Sequence, residues 1–293
     1  MSDTPPRPAV VNGRIQFQRL GLKRAPWRDA YHELLTASWP TFIGGTALLY
    51  LVTTVLFAAL YLAGGDCYGA GEATGWRTAI GFSMHTLTTI GYGTLAPATP
   101  WADLIALIEA FVGLLGVGLF SGLCFAKFGR PEARIAFAER AVITQHDGQP
   151  TLVMRLANER NSNIVDADAH LYALRDVVTA EGETMRRFFR LTLQRNHTPV
   201  FAMSWQVMHT IEPGTPLHTL ATQGHDPDLV SVVLTVTGTD ATFMQQVYGQ
   251  VYYPIGVVQV GHRFVDIITT HDGMLAIDHS KLHDTLPDPA WPR

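Results

Sequence analysis

The chain has 293 residues with a formal net charge of -4; 47% of its residues are hydrophobic, 16% are charged, and the mean hydropathy is +0.12. A mild negative charge excludes a nucleic-acid partner held by an electrostatic patch. Two cysteines, Cys67 and Cys124, exclude a disulfide scaffold, and no metal-ligand spacing is present. Residues 1–26 read as a polar, Pro-rich arm with no cleavable leader pattern. Residues 27–38 have helical spacing, with Trp27, Tyr31, Leu34, Leu35 and Ser38 on one side, and predict a short amphipathic helix in the membrane interface. Pro40 argues against a straight continuation. Residues 34–65 carry no Asp, Glu, Lys or Arg, so 41–63 predict a first span across roughly 30 Å of hydrocarbon.

Gly64, Gly65 and Asp66 end that span, and a short loop leads to residues 76–88, about three helical turns and too short to cross. The string Thr88-Thr89-Ile90-Gly91-Tyr92-Gly93 follows directly. A backbone that strips water from an ion must aim successive carbonyls at one axis, which ordinary strands and helices do not do. Glycines interleaved with other residues accept the unusual angles this requires, so Gly91 and Gly93 fit it, and the Thr89 hydroxyl adds an oxygen at the inner mouth. The string is similar to the T-V-G-Y-G filter loop of potassium channels, with Ile90 for valine. Pro97 and Pro100 then force an extended exit. Residues 101–128 predict a second span, with Glu109 as an intramembrane carboxylate in its outer half, packed behind the filter.

Lys23, Arg24 and Arg28 precede the first span, Lys127, Arg130 and Arg134 follow the second, and only Arg77 lies between; the positive-inside rule puts both termini in the cytoplasm of a multi-pass inner-membrane protein. From residue 135 the period changes to two. Residues 151–156 and 229–236 read as strands, and Asp147-Gly148 and Asp272-Gly273 are hairpin signals. No G-x-G-x-x-G follows a strand, so the domain reads as a β-sandwich rather than a nucleotide-binding regulatory fold.

Two spans, a pore loop, an interfacial helix and a cytoplasmic sandwich resemble the prokaryotic branch of the inward-rectifier potassium channels. Further motifs carry the resemblance: Ser38-Trp39-Pro40, the run from Phe125 to Pro131, His197-Thr198-Pro199-Val200-Phe201, Trp205, the run from Met208 to Glu212, and Gly261-His262-Arg263-Phe264. The resemblance implies a membrane α plus β fold: an N-terminal arm and slide helix (1–40), a transmembrane pore domain (41–130) and an immunoglobulin-like cytoplasmic β-sandwich (131–293). It implies passive, potassium-selective permeation through a homotetramer with potassium as the only bound ion, no cofactor and no enzyme activity.

By the same resemblance, Thr89, Ile90, Gly91, Tyr92 and Gly93 form the filter, supported by Thr88, His85 and Glu109. Phe125 is the inner-bundle gate, Val117 lines the cavity, and Asp166, Met244 and Tyr248 line the cytoplasmic pore, with 243–249 as its constricting loop. Lys127, Arg130 and Arg134 sit at the level of anionic lipid headgroups, and magnesium or polyamines are the implied cytoplasmic blockers. Three departures stand out. His85 replaces the glutamate that most relatives carry three residues before Thr88, Val117 replaces the aspartate of strong rectifiers, and Cys67 lacks the partner that animal members use for an extracellular disulfide. A two-span channel gated by a soluble ligand, and a membrane-anchored sandwich without conduction, are the alternatives. The scattered histidines, including His279 and His283, do not suggest an enzyme.

Overall fold

The computed structural model describes residues 9–11, 14–16, 26–65, 67–68, 75–129, 134–160, 162–271 and 274–292. Lys23, Arg24, Asp66, Arg130, Asp272 and Gly273, all used in the sequence reading, lie outside them. The chain divides into two compact units, one of residues 21–130 and one of 1–20 with 131–293.

The first unit holds four helices: α1 (Pro26–Thr36), α2 (Trp39–Ala63), α3 (Trp76–Leu87) and α4 (Pro100–Phe128). Helix α1 ends short of the expected residue 38 because Ser38 already caps α2, its Oγ accepting from the Thr41 amide at 3.4 Å. Pro40 sits in the first turn of α2, where its missing N–H removes no helical bond. The same device starts α4: Thr99 Oγ1 accepts from the Ala102 amide at 3.2 Å and Pro100 opens the helix. Helices α2 and α4 have 25 and 29 residues and are long and apolar enough to cross a membrane.

Their shared core is built from Phe57, Ala58 and Tyr61 of α2, Ala79 and Phe82 of α3, Ala102 and Ile105 of α4, and Cys67 and Tyr68 of the loop. The loop is pinned at Cys67, whose Sγ donates to the Tyr61 carbonyl (3.1 Å) and whose carbonyl accepts from the Ala98 amide (2.9 Å), and Trp101 Nε1 of α4 donates to the Leu60 carbonyl of α2 (3.0 Å). The Trp101 ring lies so close over Gly64 that a Cβ there would meet it at 2.2 Å. Both cysteines are free.

The second unit is a sandwich. One sheet runs β11 (Gln245–Pro254), β10 (Leu229–Asp240), β6 (Ile164–Val178), β7 (Thr184–Leu191), with β8 (His197–Phe201) also paired to β6. The other runs β12 (Val258–Val260), β4 (Ala141–His146), β5 (Gln149–Asn158), β3 (Ile135–Phe137), with β9 (Ser204–Thr210) paired to β5. Leu152, Met154, Leu156, Trp205 and Val207 of the second sheet share one core with Leu171, Ala173, Val232, Leu234 and Val236 of the first. A short helix α5 (His218–Gln223), without a signal in the sequence, adds Leu220 and Ala221 to that core.

Smaller antiparallel pairs join β1 (Ala9–Val11) to β2 (Arg14–Gln16), β13 (His262–Phe264) to β16 (Thr285–Pro287), and β14 (Ile268–His271) to β15 (Met274–Ile277). The predicted Asp147-Gly148 turn has φ of 50° and 75°, the left-handed pair that matches hairpin twist. One expectation fails: 243–249 is not a loop. The turn ends at Met244, and β11 begins at Gln245, paired to β10 through Asp240↔Gln245 and Thr237↔Tyr248.

Candidate functional site

A backbone that offers its carbonyls to an ion must turn its amides away from the ion path. From Thr88 to Gly91 every amide donates back to the last turn of α3. Thr88 N reaches the Met84 carbonyl (3.2 Å), Thr89 N reaches Thr86 (3.0 Å), and Ile90 N and Gly91 N share the His85 carbonyl (2.9 and 3.2 Å). The Thr88 hydroxyl is also spent inward, donating to the Met84 carbonyl at 2.6 Å. Along the strand φ is positive at Thr89 (59°), Gly91 (53°) and Gly93 (75°) and not at the residues between. Alternating the sign of φ undoes the usual alternation of a strand's carbonyls and lets successive oxygens face one side. Glycine adopts these angles freely, whereas Thr89 pays strain of about 1–3 kcal/mol, a cost sustained where the surroundings over-determine the backbone.

Behind this strand lies a buried polar cluster. Glu109 of α4 has no solvent exposure. Tyr61 of α2 donates its hydroxyl to Glu109 Oε2 at 2.8 Å, and the Ser83 hydroxyl of α3 bonds Oε1. Ser83 Oγ also lies 3.0 Å from the Thr54 carbonyl of α2. One carboxyl therefore joins both spans and the pore helix, as a fully partnered group must when water is excluded. Tyr61 and Ser83 escaped the sequence reading; a serine in the middle of a short apolar helix was their only signal. His85 does not join this cluster. Its ring stands edge-on to Tyr92, centroids 4.7 Å apart at 89°, while its carbonyl accepts from the Ile90 and Gly91 amides.

At the end of α3, an apolar groove of about 610 Å³ is lined by Thr46, Tyr50, Leu87, Thr88, Val117 and Phe120 among others. Val117 thus shares one wall with Leu87 and Thr88. Phe125, near the end of α4, is 82% exposed in the single chain. Lys127, expected at the level of lipid headgroups, has its ammonium on the carbonyls of Leu35 (3.1 Å) and Ala37 (2.5 Å).

In the sandwich, Asp166, Met244 and Tyr248 fall at one end of one sheet. Asp166 sits with φ of 49° in a bulge of β6, where the register to β10 slips between Thr237 and Thr239. Gly238 permits that bulge, since a Cβ would come within 2.5 Å of Ile164 Cγ2. Met244 has φ of 51° and closes the turn. Asp240 shapes it by accepting from the amides of Thr242 (2.8 Å) and Phe243 (3.2 Å) and from Ser162 Oγ (3.2 Å). Burial opposes its charge, but these donors and Arg160 outweigh it and hold the carboxyl below the usual range. Two positions beyond Asp166, Asp168 pairs with His197 at 3.2 Å, a contact the sequence did not indicate. Arg134 is exposed.

Comparison with known proteins agrees with this geometry. The family model "Inward rectifier potassium channel C-terminal domain" matches residues 135–290, and the model "Ion channel" matches 42–129. The chain is 40% identical over 282 residues to the inward rectifier potassium channel Kirbac3.1 of Paramagnetospirillum magnetotacticum, covering 95% of this chain and 96% of that one. It is 26% identical to the mouse G protein-activated inward rectifier potassium channel 3 (98% and 81% covered) and 24% identical to the chicken ATP-sensitive inward rectifier potassium channel 12 (96% and 72% covered). A filter strand hung from a pore helix between two spans, followed by a sandwich that matches along nearly its whole length, places this chain in the inward-rectifier potassium channel family, as a channel and not an enzyme.

Proposed function

We propose that four copies of this chain surround one axis in the inner membrane, with both termini cytoplasmic, and conduct potassium passively. One chain supplies one filter strand, and four strands replace the ion's hydration shell. Potassium sheds water onto the carbonyls of Thr89, Ile90, Gly91 and Tyr92, with Gly93 at the outer end, and sites in series allow knock-on exit. Thr88, His85 and Glu109 support the filter. The C-terminal end of α3, partly negative, favours a cation in the cavity beside Val117. Residues 1–40 serve as arm and slide helix, 41–130 as the pore, and 131–293 as the regulatory sandwich. Potassium is the only bound ion in this reading, without a cofactor. Asp166, Met244 and Tyr248 line the cytoplasmic path, where magnesium or polyamines enter. Without a carboxylate at Val117, block from the cavity is weak. Arg130 and Arg134 attract an anionic leaflet, each by about 1 kcal/mol.

The observation that carries the reading is the alternation of positive φ at Thr89, Gly91 and Gly93, together with the amides of Thr88 to Gly91 tied back to α3. Barium-sensitive potassium uptake into liposomes, with sodium uptake at least about 100-fold slower, is the expected result. Equal potassium and sodium flux would overturn it.

Phe125 is the inner gate, closing the path as a ring of four phenyl groups by steric block or dewetting. Phe125→Ala removes that ring and is expected to raise steady uptake several-fold with selectivity unchanged. Unaltered open probability in single-channel records would remove Phe125 from this role.

A further inference from the structure

Helix α1 ends without a cation of its own, since its last turn carries no basic residue. A helix C-terminus leaves carbonyls unsatisfied and bears partial negative charge, and a lysine can answer both needs. Lys127 does so from the far end of α4. Its Nζ donates to the Ala37 carbonyl at 2.5 Å and the Leu35 carbonyl at 3.1 Å. The same ammonium lies 5.3 Å from the ring centroid of Trp39 and 5.5 Å from that of Phe42, within cation–π range. Those rings are themselves fixed to α4. Trp39 packs on Phe128 with centroids 4.4 Å apart, and Phe42 stacks on Phe120 at 5.8 Å and 10°. All of these groups belong to one compact unit. The end of α1, the start of α2 and the last turn of α4 therefore converge on one side chain, two positions beyond Phe125.

We infer that Lys127 is a latch. It caps α1 from α4 and ties the interfacial helix to the segment that bears Phe125, rather than holding its charge out to lipid headgroups. It is a positioning residue: it touches no ion, and it acts by fixing where α1 ends relative to α4. A headgroup site needs only positive charge near the bilayer surface. A cap on two carbonyls needs a donor at that place, whatever the lipid.

Amide hydrogen exchange on the full-length protein in phosphatidylcholine nanodiscs, which carry no net anionic headgroups, separates the two. Lys127→Met keeps an apolar stem against Trp39 and Phe42 but has no donor; Lys127→Arg keeps both charge and donors. Lys127→Met is expected to speed exchange at residues 29–37 about tenfold while α2 and α3 stay as in the unaltered protein, and Lys127→Arg to restore protection. Unchanged exchange at 29–37 in Lys127→Met, or equal acceleration throughout α2 and α3, overturns the latch, as does a difference that appears only once anionic lipid is added. The link to Phe125 rests on the conduction reading and has its own readout. Potassium uptake in the same neutral lipid should change at least about threefold in Lys127→Met and recover in Lys127→Arg. Altered exchange with unaltered uptake would overturn the link to the gate, whereas absent uptake in the unaltered protein would overturn the conduction reading and leave the exchange result standing.

Discussion

Gly91→Val is expected to abolish barium-sensitive potassium uptake, by at least about 100-fold, in protein that still assembles. Gly91 has φ of 53°, and nothing within 4 Å would obstruct a Cβ in the single chain, so the effect comes from the backbone rather than from a clash within one subunit. A β-branched side chain in the left-handed region costs about 1–2 kcal/mol per residue, or about 4–8 kcal/mol over four copies. The backbone relieves this by rotating the peptide out of the alternating pattern, which turns a carbonyl away from the axis and an amide toward it. A cation then meets a donor where it needs an acceptor. The open space beside Gly91 is also where the other three strands would approach, so the added methyl groups narrow the path directly. Gly65→Val is the matched control: its φ of 76° imposes a similar backbone cost at a helix end away from the filter. Uptake near normal in Gly91→Val would remove residues 89–93 from the conduction path, and equal losses in both variants would assign the effect to folding.

The difference between these two glycines could be read before the fold was known, because interleaved glycines have no common structural reason to sit between a short apolar segment and a long one. Span ends were nearly as plain. Ser38 with Pro40, and Thr99 with Pro100, are helix-start chemistry, and the ends moved by only one or two residues once caps were counted. What stayed hidden depends on contacts between distant positions. Glu109 announced itself as a carboxylate in a span, but its partners Ser83 and Tyr61 lie 26 and 48 residues away, and no local pattern marks them. The positive φ of Thr89 was illegible because threonine does not favour it; the pore helix enforces it. Lys127 read as one of a basic cluster, since sequence shows charge and not the carbonyls of Leu35 and Ala37 that take it up. The supposed loop at 243–249 was drawn too long because Gln245 to Gly249 carry polar residues, while their backbone continues the ladder to β10.

Gly113→Ala is expected to be nearly as damaging as the filter substitution, from a position outside the filter. Gly113 is buried in α4 against the last turn of the pore helix, and a Cβ there would lie 2.0 Å from the Leu87 carbonyl oxygen and 2.9 Å from its carbon. Backbone cannot swing aside as a side chain can, so α3 and α4 must separate by more than an ångström. Overpacking of this kind costs about 1–3 kcal/mol per site, and more where nothing yields. Leu87 immediately precedes Thr88, and the carbonyls of Met84, His85 and Thr86 hold the filter amides, so displacement of this turn carries the filter with it. The separation would also lengthen the bond between Ser83 of α3 and Glu109 of α4, leaving a buried carboxyl short of a donor. Gly116→Ala, one turn further along α4, places its methyl where nothing lies within 4 Å of the chain. Thermal unfolding and potassium uptake measured on both variants should show a lower midpoint and at least about 30-fold less uptake for Gly113→Ala, with Gly116→Ala close to the unaltered protein. Indistinguishable behaviour of the two would mean that α3 is not held at Gly113, and the support of the filter would then rest on Thr88, His85 and Glu109.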